Sequence, residues 1–343
     1  MKAYLALSSP YGYSRKGPLR SLLFAFVAAS NLFVAAADAD AALAVGYPTR
    51  PVRLVVPYPP GGSVDVVARI VSQKMMEVSG QPLVVDNRAG AAGNIGTEIV
   101  VRSPADGYTL IMATVPLAVN ASLFPNLPYD VTRDLAPITQ VAAAPFVLAV
   151  NPTLPANSVK ELIGLAKSKP GQLNYASSGH GANLHIAAEL FKSLSHTDIV
   201  RIQYKGGGPA LTALLANEVQ VSFLGVVTVI PLVKAGRLRA LAVTGAKRAA
   251  VLPGLPTVAE AGVPGYEFTS WYSVFAPGNM APALVDKINS YFVRAARAPD
   301  VGERFASEGA EVVAGSPTEL RDHIKREVAK WAKMVRESGL KAE

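Results

Sequence analysis

The clearest structural pattern in the sequence is Val52-Arg-Leu-Val-Val-Pro-Tyr-Pro-Pro-Gly-Gly-Ser-Val-Asp-Val-Val-Ala-Arg69. Its first five residues are rich in β-branched side chains and predict a short buried strand, which must end at Pro57 because proline cannot donate to a sheet. Gly61 and Gly62 allow backbone angles closed to other residues, and Ser63 is a residue type that caps helices. Apolar residues then recur at helical spacing. The pattern predicts a strand that runs through a proline-glycine loop into a helix.

This loop presents the free backbone amides of a helix start at the end of a strand. Unsatisfied N–H groups and the helix dipole attract anions at such a place, so a ligand that carries a carboxylate fits the pattern. An ordinary strand-to-helix turn contains the same residue types. Taken alone, the stretch leaves both interpretations open.

The composition is that of a globular protein. Half of the 343 residues are hydrophobic and 17% are charged, which excludes a disordered chain and leaves room for two lobes. The net charge of +8 is diffuse and forms no basic run with aromatic residues, so no nucleic-acid partner is expected. The chain has no cysteine and four scattered histidines, and this predicts neither a disulfide nor a structural metal; no cofactor is expected.

The amino terminus predicts export. Basic residues up to Arg20 precede an apolar segment from Leu22 to Ala37, and Ala42-Leu-Ala44 offers small residues at the two positions that signal peptidase reads. We expect residues 1–44 to be a signal peptide cleaved after about Ala44, with Ala37 as a second site. The apolar segment is short for a membrane span, which needs roughly 20 residues.

Strand and helix patterns alternate through the rest of the chain, which is typical of parallel sheets with crossover helices. The predicted strands are 52–56, 82–86, 108–113, 138–150, 173–176, 200–204, 219–224, 239–244 and 268–275. Residues 138–150 form a long apolar strand that could cross between two lobes, and residues 268–275 read as the return. We predict a first lobe of residues 45–146 and 269–343 and a second lobe of residues 147–268.

Three of the helix entrances share one architecture. Each runs from a strand through small residues into a helix start: Tyr58 to Asp65, Ser177 to Asn183, and Lys205 to Ala210. Thr114 follows another strand. Since open parallel sheets bind ligands at the carboxyl ends of their strands, we expect Thr114 and the first loop to lie on one rim.

With these residues assembled, the chain resembles the substrate-binding receptors of tripartite tricarboxylate transporters, the Bug or TctC-like family of periplasmic solute-binding proteins. The stretches that carry the resemblance are Pro57-Tyr-Pro-Pro-Gly-Gly-Ser-Val-Asp65, Val85-Asp-Asn-Arg-Ala-Gly-Ala-Ala-Gly-Asn-Ile-Gly96, Ala105-Asp-Gly-Tyr-Thr-Leu110, Asn174-Tyr-Ala-Ser-Ser-Gly-His-Gly181 with His185, Tyr204-Lys-Gly206, and Leu252-Pro-Gly-Leu-Pro-Thr-Val-Ala-Glu-Ala-Gly262. The resemblance implies an α/β protein with a type II periplasmic-binding-protein fold, in which crossing hinge strands join two α/β lobes around a ligand cleft.

The resemblance also implies a function and a site. A periplasmic monomer would capture a small carboxylate and deliver it to integral-membrane permease subunits, without chemistry on the ligand. Carried over by motif, the ligand contacts are Tyr58, Gly61, Gly62, Ser63, Asp65, Thr114, Ser177, Ser178, Gly179, His180, Gly181, Asn183, Lys205, Gly206 and Gly207. Family members often carry acids where this chain has Gln220 and Leu224, so recognition of a ligand amino group is in doubt here.

Other interpretations remain open from the residues. Ser177, Ser178 and His185 invite a secreted serine hydrolase, although no Gly-X-Ser-X-Gly motif is present. The sequence does not distinguish a transport receptor from a receptor that presents its solute to a signalling partner. Asp65 can touch the ligand, or it can simply stabilise a helix start.

Overall fold

The structure is a computed structural model that describes the backbone of residues 46–338 and the side chains of residues 46–336. The predicted signal peptide lies outside the described residues. Among residues 46–338, no helix combines the length and the apolar character that a bilayer span requires.

Strands and helices follow one another along the described chain. Their bounds are β1 Val52–Val56, α1 Ser63–Ser79, β2 Leu83–Asn87, α2 Asn94–Val101, β3 Thr109–Ala113, α3 Pro116–Leu123, β4 Leu135–Val150, α4 Val159–Ser168, β5 Asn174–Ser177, α5 Asn183–Ser195, β6 Val200–Gln203, α6 Gly207–Leu215, β7 Val221–Gly225, α7 Val226–Lys234, β8 Arg239–Val243, β9 Thr269–Pro277, α8 Pro282–Ala296, α9 Pro299–Ser307, β10 Glu311–Val312 and α10 Pro317–Ser338.

The strands form two groups that share β4. In the first group the order is β2-β1-β3-β9-β4, with β1 parallel to both β2 and β3, and β9 antiparallel to β3 and β4. In the second the order is β4-β7-β5-β6, with β5 parallel to β6 and β7, while β8 pairs with β4. Residues 135–145 of β4 pair with β9 and residues 146–150 pair with β7, so one strand runs through both lobes.

The chain returns to the first lobe beside this crossing. The hydroxyl of Thr244 donates to the carbonyl of Phe268 at 2.6 Å and accepts from the amide of Phe146 at 2.7 Å. The amide of Phe268 in turn donates to the carbonyl of Thr244 at 2.8 Å. These bonds tie the two crossing segments together, so the lobes are joined at one place.

The last helices pack on the first lobe. Helix α10 lies against α3 and β4, and α8 lies against α1 and β4. The indole nitrogens of Trp271 and Trp331 both donate to Oε2 of Glu327, at 3.0 and 2.8 Å. Because Trp271 belongs to β9 and Glu327 to α10, this carboxylate fastens the carboxyl-terminal helix to the strand that follows the second crossing.

The structure confirms the alternation of strands and helices and corrects it in places. Helices α3 and α9 were not predicted, and β4 begins at Leu135 instead of residue 138, because Pro137 lies at a register shift that a strand tolerates. The side chain of Ser63 does not cap α1: the N-cap residue is Gly62. The capping side chain of α4 is Ser158, whose Oγ accepts from the amide of Glu161 at 3.2 Å.

Candidate ligand-binding site

A cavity of about 70 Å³ lies between the two lobes. The residues that line it are Tyr58, Pro59, Gly61, Gly62, Ser63, Val64, Thr114, Phe146, Ser178, Ala182, Asn183, Leu184, Gly206, Gly207, Leu224, Gly225 and Thr228. None of these side chains is charged. Among these described lining residues, the one ionisable group is the phenol of Tyr58, and burial, with Tyr129 nearby, raises its pKa above the usual range, so it stays neutral.

Four helices begin at this cavity. The N-cap residues of α1, α5, α6 and α7 are Gly62, Ala182, Gly206 and Gly225, and all four line it. None of the four helix starts has a side-chain cap. The first amides of a helix have no intrahelical partner, and together they carry the positive end of the helix dipole. The cavity is therefore electropositive, although no cationic side chain within the described part of the chain lines it.

Asp65 stabilises the first loop, residues 58–65, from the side away from the cavity. Its carboxylate accepts from the amide of Gly61, from Nε of Arg69 and from Nδ2 of Asn87, each at 3.0 Å. Nδ2 of Asn87 also donates to the carbonyl of Tyr58 at 3.1 Å. Burial alone would raise the pKa of Asp65, but these hydrogen bonds outweigh it and hold the pKa below the usual range. Asp65 does not line the cavity, and its partners show that it shapes the loop.

Hydroxyl and amide groups of both lobes meet where Thr114 and Asn183 line the cavity. Oγ1 of Thr114 and Oγ of Ser270 are 2.8 Å apart, and Nδ2 of Asn183 lies 3.4 Å from the first and 3.3 Å from the second. Thr114 follows β3 and Ser270 belongs to β9, whereas Asn183 opens α5. Among the residues that the structure describes, Oδ1 of Asn183 is buried without a hydrogen-bond partner.

Several predicted contacts in the second loop, residues 177–183, lie away from the cavity. Oγ of Ser177 donates to the carbonyl of Gly179 at 3.3 Å. His180 lies against Arg201, and Gly181 faces the first lobe, where an added Cβ would lie 2.7 Å from Leu123. The loop residues that line the cavity are Ser178, Ala182 and Asn183.

In the third loop, residues 205–210, Gly206 and Gly207 line the cavity and Lys205 does not. Gly206 has φ of +114°, a region that favours glycine, and an added Cβ would lie 2.7 Å from Pro59 in the first lobe. Lys205 is exposed. Nine predicted contacts line the cavity: Tyr58, Gly61, Gly62, Ser63, Thr114, Ser178, Asn183, Gly206 and Gly207. Asp65, Ser177, Gly179, His180, Gly181 and Lys205 do not.

Residues that were not among the predicted contacts complete the cavity. Phe146 stands where β4 enters the second lobe, and Leu224, Gly225 and Thr228 come from the β7–α7 junction. Leu224 is one of the two positions at which the sequence resemblance implied an acid. The other, Gln220, lies away from the cavity, where its Oε1 accepts from the amide of Asn174 at 3.0 Å.

The geometry also bears on the serine hydrolase interpretation. The amide of Gly181 donates to Nδ1 of His185 at 3.1 Å, and Nη1 of Arg201 lies 3.3 Å from Nε2. Both ring nitrogens therefore face N–H donors. A general base must instead face the hydroxyl proton that it removes.

Comparison with known proteins agrees with this architecture. The family model for the tripartite tricarboxylate transporter family receptor, TctC, matches residues 67–340. Rpa4515 of R. palustris, solved with adipate, is 38% identical with a TM-score of 0.83, over 86% of this chain and 99% of that one. The periplasmic binding protein BugD is 31% identical with a TM-score of 0.83, over 87% and 100%. MatC (Rpa3494) from Rhodopseudomonas palustris, with bound malate, is 30% identical with a TM-score of 0.80, over 84% and 100%.

The two lobes joined by crossing strands are thus the periplasmic-binding-protein fold that the sequence motifs implied. The family is one of solute-binding receptors and not of enzymes. Since the family model matches most of the chain, this protein belongs to the tripartite tricarboxylate transporter receptor family, the TctC or Bug-type solute-binding receptors.

Proposed function

We propose that this receptor closes on a small carboxylate in the periplasm and delivers it to integral-membrane permease subunits. The observation that carries the proposal is the convergence of four helix starts without side-chain caps on a cavity whose lining, over residues 46–336, contains no charged side chain. Backbone amides at helix starts stabilise an anion, and they disfavour a cation. The adipate and malate bound to related receptors support a carboxylate as the ligand.

The nine predicted contacts that line the cavity are proposed as direct ligand contacts. Asp65, Ser177, Gly179, His180, Gly181 and Lys205 are proposed to act through the shape of their loops. Phe146 and Leu224 would contact the apolar part of the ligand. The unpaired Oδ1 of Asn183 would accept from a ligand hydroxyl or a bridging water, because buried acceptors are rarely left unpaired.

Lobe boundaries and export complete the proposal. We place the first lobe at residues 45–146 and 269–343 and the second at 147–268, since the partners of β4 change near Phe146 and β9 begins at Thr269. Residues 1–44 would direct export and be removed. A monomer is proposed because the cavity is completed by both lobes of one chain.

Binding is tested by calorimetry and thermal shift on the mature protein with adipate, malate and succinate, with adipamide as the uncharged match of adipate. At least one carboxylate is expected to bind and to raise the melting temperature, whereas adipamide is not. Binding of adipamide as tight as that of adipate would refute the anion argument. Mass spectrometry of the copurified ligand identifies the natural solute.

Delivery to a permease needs a separate measurement. Cells that lack the gene are expected to lose uptake of the labelled solute, and uptake should return when the gene is restored. Normal uptake together with a lost transcriptional response would contradict transport and indicate a sensor.

A further inference from the structure

Three uncharged polar side chains form a buried cluster at the ligand cavity. Thr114 and Asn183 line the cavity, and Ser270 joins them from β9. Oγ of Ser270 lies 2.8 Å from Oγ1 of Thr114, and Nδ2 of Asn183 lies within 3.4 Å of both oxygens. All three side chains are buried. A ligand in the cavity therefore meets this cluster through two of its three members.

Tyr272 adds a fourth polar group behind the cluster. It follows Ser270 by two residues in a stretch of β9 that pairs regularly with β4, so the two side chains lie on the same face of the strand. The phenol is fully buried, and its oxygen has no hydrogen-bond partner among residues 46–336. Burial raises the pKa of Tyr272 to about 12, although Ser63 and Ser270 nearby reduce that rise. The phenol is thus a neutral donor beside the cluster.

The hydrogen-bonding capacity of the cluster is incomplete in a specific way. Thr114 and Ser270 have two hydroxyl protons and use one of them between their own oxygens, so one proton remains. Oδ1 of Asn183 is an acceptor that no donor reaches within the described part of the chain. A ligand group pairs with both only if it accepts one hydrogen bond and donates another. A hydroxyl does so, whereas a carboxylate only accepts and would face the lone pairs of Oδ1.

This hydroxyl has to lie close to a carboxylate of the same ligand. Asn183 is the first residue of α5, and the free amides of that helix start are among the groups proposed to hold the anion. Since one helix turn is about 5.4 Å long, these amides and the side chain of Asn183 reach ligand atoms that are only a few ångströms apart. A hydroxyl on the carbon next to a carboxylate meets this spacing.

We propose that the cavity selects 2-hydroxy acids, because the ligand hydroxyl contacts Thr114 and Asn183, and that Tyr272 is a positioning residue for this recognition. Tyr272 donates to Ser270, which donates to Thr114. Thr114 then donates to the ligand hydroxyl, and that hydroxyl donates to Oδ1 of Asn183. Hydrogen bonds aligned in one direction strengthen one another. The proposal rests on the proposed carboxylate function and names the class of carboxylate.

The first test compares ligands that differ by one hydroxyl. Calorimetry at pH 7.5 measures malate against succinate and 2-hydroxyadipate against adipate, with each enantiomer of the hydroxy acids taken separately. In at least one pair the wild type should bind one enantiomer about tenfold or more tightly than the ligand without the hydroxyl, because that ligand leaves buried polar groups unpaired.

The outcomes separate this proposal from the function on which it rests. If succinate or adipate binds as tightly as its hydroxy counterpart in every pair that binds, the hydroxyl selection is refuted and the carboxylate function stands. If none of the four ligands binds, the carboxylate function fails and the selection fails with it.

Tyr272→Phe tests the positioning role, because it removes the phenol proton and keeps the ring. The preference for the hydroxy acid should fall to less than about threefold, while the affinity for the ligand without the hydroxyl changes by less than about twofold. A merely structural role would weaken both ligands alike. Ser270→Ala interrupts the same chain of donors outside the phenol and should also lower the preference.

Tyr266→Phe is the matched control. The phenol of Tyr266 is also buried and donates to the carbonyl of Ala187 at 3.0 Å, and Tyr266 does not line the cavity. This variant loses a buried hydroxyl as well, but it should keep the wild-type preference. A wild-type preference in both Tyr272→Phe and Ser270→Ala would overturn the positioning role of Tyr272.

Discussion

Gly225 and Ser63 approach so closely across the cleft that a Cβ on Gly225 would overlap Oγ of Ser63 and lie 3.0 Å from its Cβ. Gly225 ends β7 in the second lobe, and Ser63 begins α1 in the first. Gly225 has φ of −57° and ψ of 132°, which other residues also adopt. Glycine is therefore needed here for the close contact with Ser63 and not for the backbone conformation.

Gly225→Ala is expected to keep the fold and to prevent full closure. Carboxylate affinity should fall about tenfold or more, which corresponds to about 1.4 kcal/mol. Calorimetry gives the affinity, and small-angle scattering with saturating ligand should show a larger radius of gyration. In the double variant with Ser63→Gly the space is restored, and the two changes should be non-additive. Additive losses would mean that this contact does not limit closure.

Gly62→Val is expected to block binding and leave the chain folded. The backbone of Gly62 has φ of −83° and ψ of 167°, which suits a β-branched residue, and an added Cβ meets only the carbonyl of Pro59 at 3.8 Å. Gly62 lines the cavity, so the side chain of Val would occupy ligand space. We expect a loss of affinity of about tenfold or more. Gly164→Val, on the exposed face of α4, is the control and should bind as the wild type does.

Leu224→Asp tests the uncharged character of the cavity. A carboxylate at this position would repel an anionic ligand in a site shielded from water, and we expect the affinity for adipate to fall by about a hundredfold or more. The matched variant is Gln220→Glu, which adds the same charge outside the cavity and keeps an oxygen for the amide of Asn174. Equal effects of both changes on calorimetric affinity would indicate a long-range field instead of a local one.

Asp65→Asn should destabilise the first lobe by about 1 to 3 kcal/mol, since it weakens charge-assisted bonds in a buried position. The pKa of Asp65 is lowered in the folded state, so its stabilisation is present above the unfolded value of about 3.9 and disappears as the pH falls through the folded pKa. Urea unfolding should show a difference between variant and wild type at pH 7 that narrows at pH 3. Asp300→Asn, in an exposed pair with Lys74, should change stability little.

Glu327→Ala and Glu327→Gln distinguish a lost acceptor from a lost charge. The alanine variant leaves two buried indole N–H groups unpaired and should lower the free energy of unfolding by about 2 to 4 kcal/mol. The glutamine variant retains an oxygen and should lose less. Because Trp271 and Trp331 are the two tryptophans of the chain, their fluorescence reports both changes directly.

Local signals were enough to predict the loops that reach the cavity. The stretch from Pro57 to Asp65 contains its own strand end, its glycines and its helix start, and the same holds for the loops at 177–183 and 205–207. The sequence could not show which residues of a loop point into the cavity. His180 and Ser178 are two residues apart in one loop, yet only Ser178 lines the cavity, because Arg201 on a different strand draws the imidazole to the other side.

The missed elements have physical reasons as well. Helix α3 is buried over most of its surface, packed on α10 and the second lobe, so its apolar residues show no single face. Helix α9 buries only Val301 and Phe305, so its nine residues show too weak an apolar pattern to predict a helix after Pro299. Phe146 has apolar neighbours on both sides along β4, so no sequence pattern distinguishes it; it lines the cavity at the point where the pairing partners of β4 change.

The four helix starts that meet at the cavity have a consequence for how this receptor can evolve. Mutation replaces side chains, whereas the groups that attract the anion belong to the main chain, which every residue but proline supplies. Substitutions at Phe146, Leu224 or Asn183 can therefore change which ligand body is accepted while attraction for the carboxylate persists. Receptors of this kind can therefore change their ligand specificity during evolution while they still bind a carboxylate group.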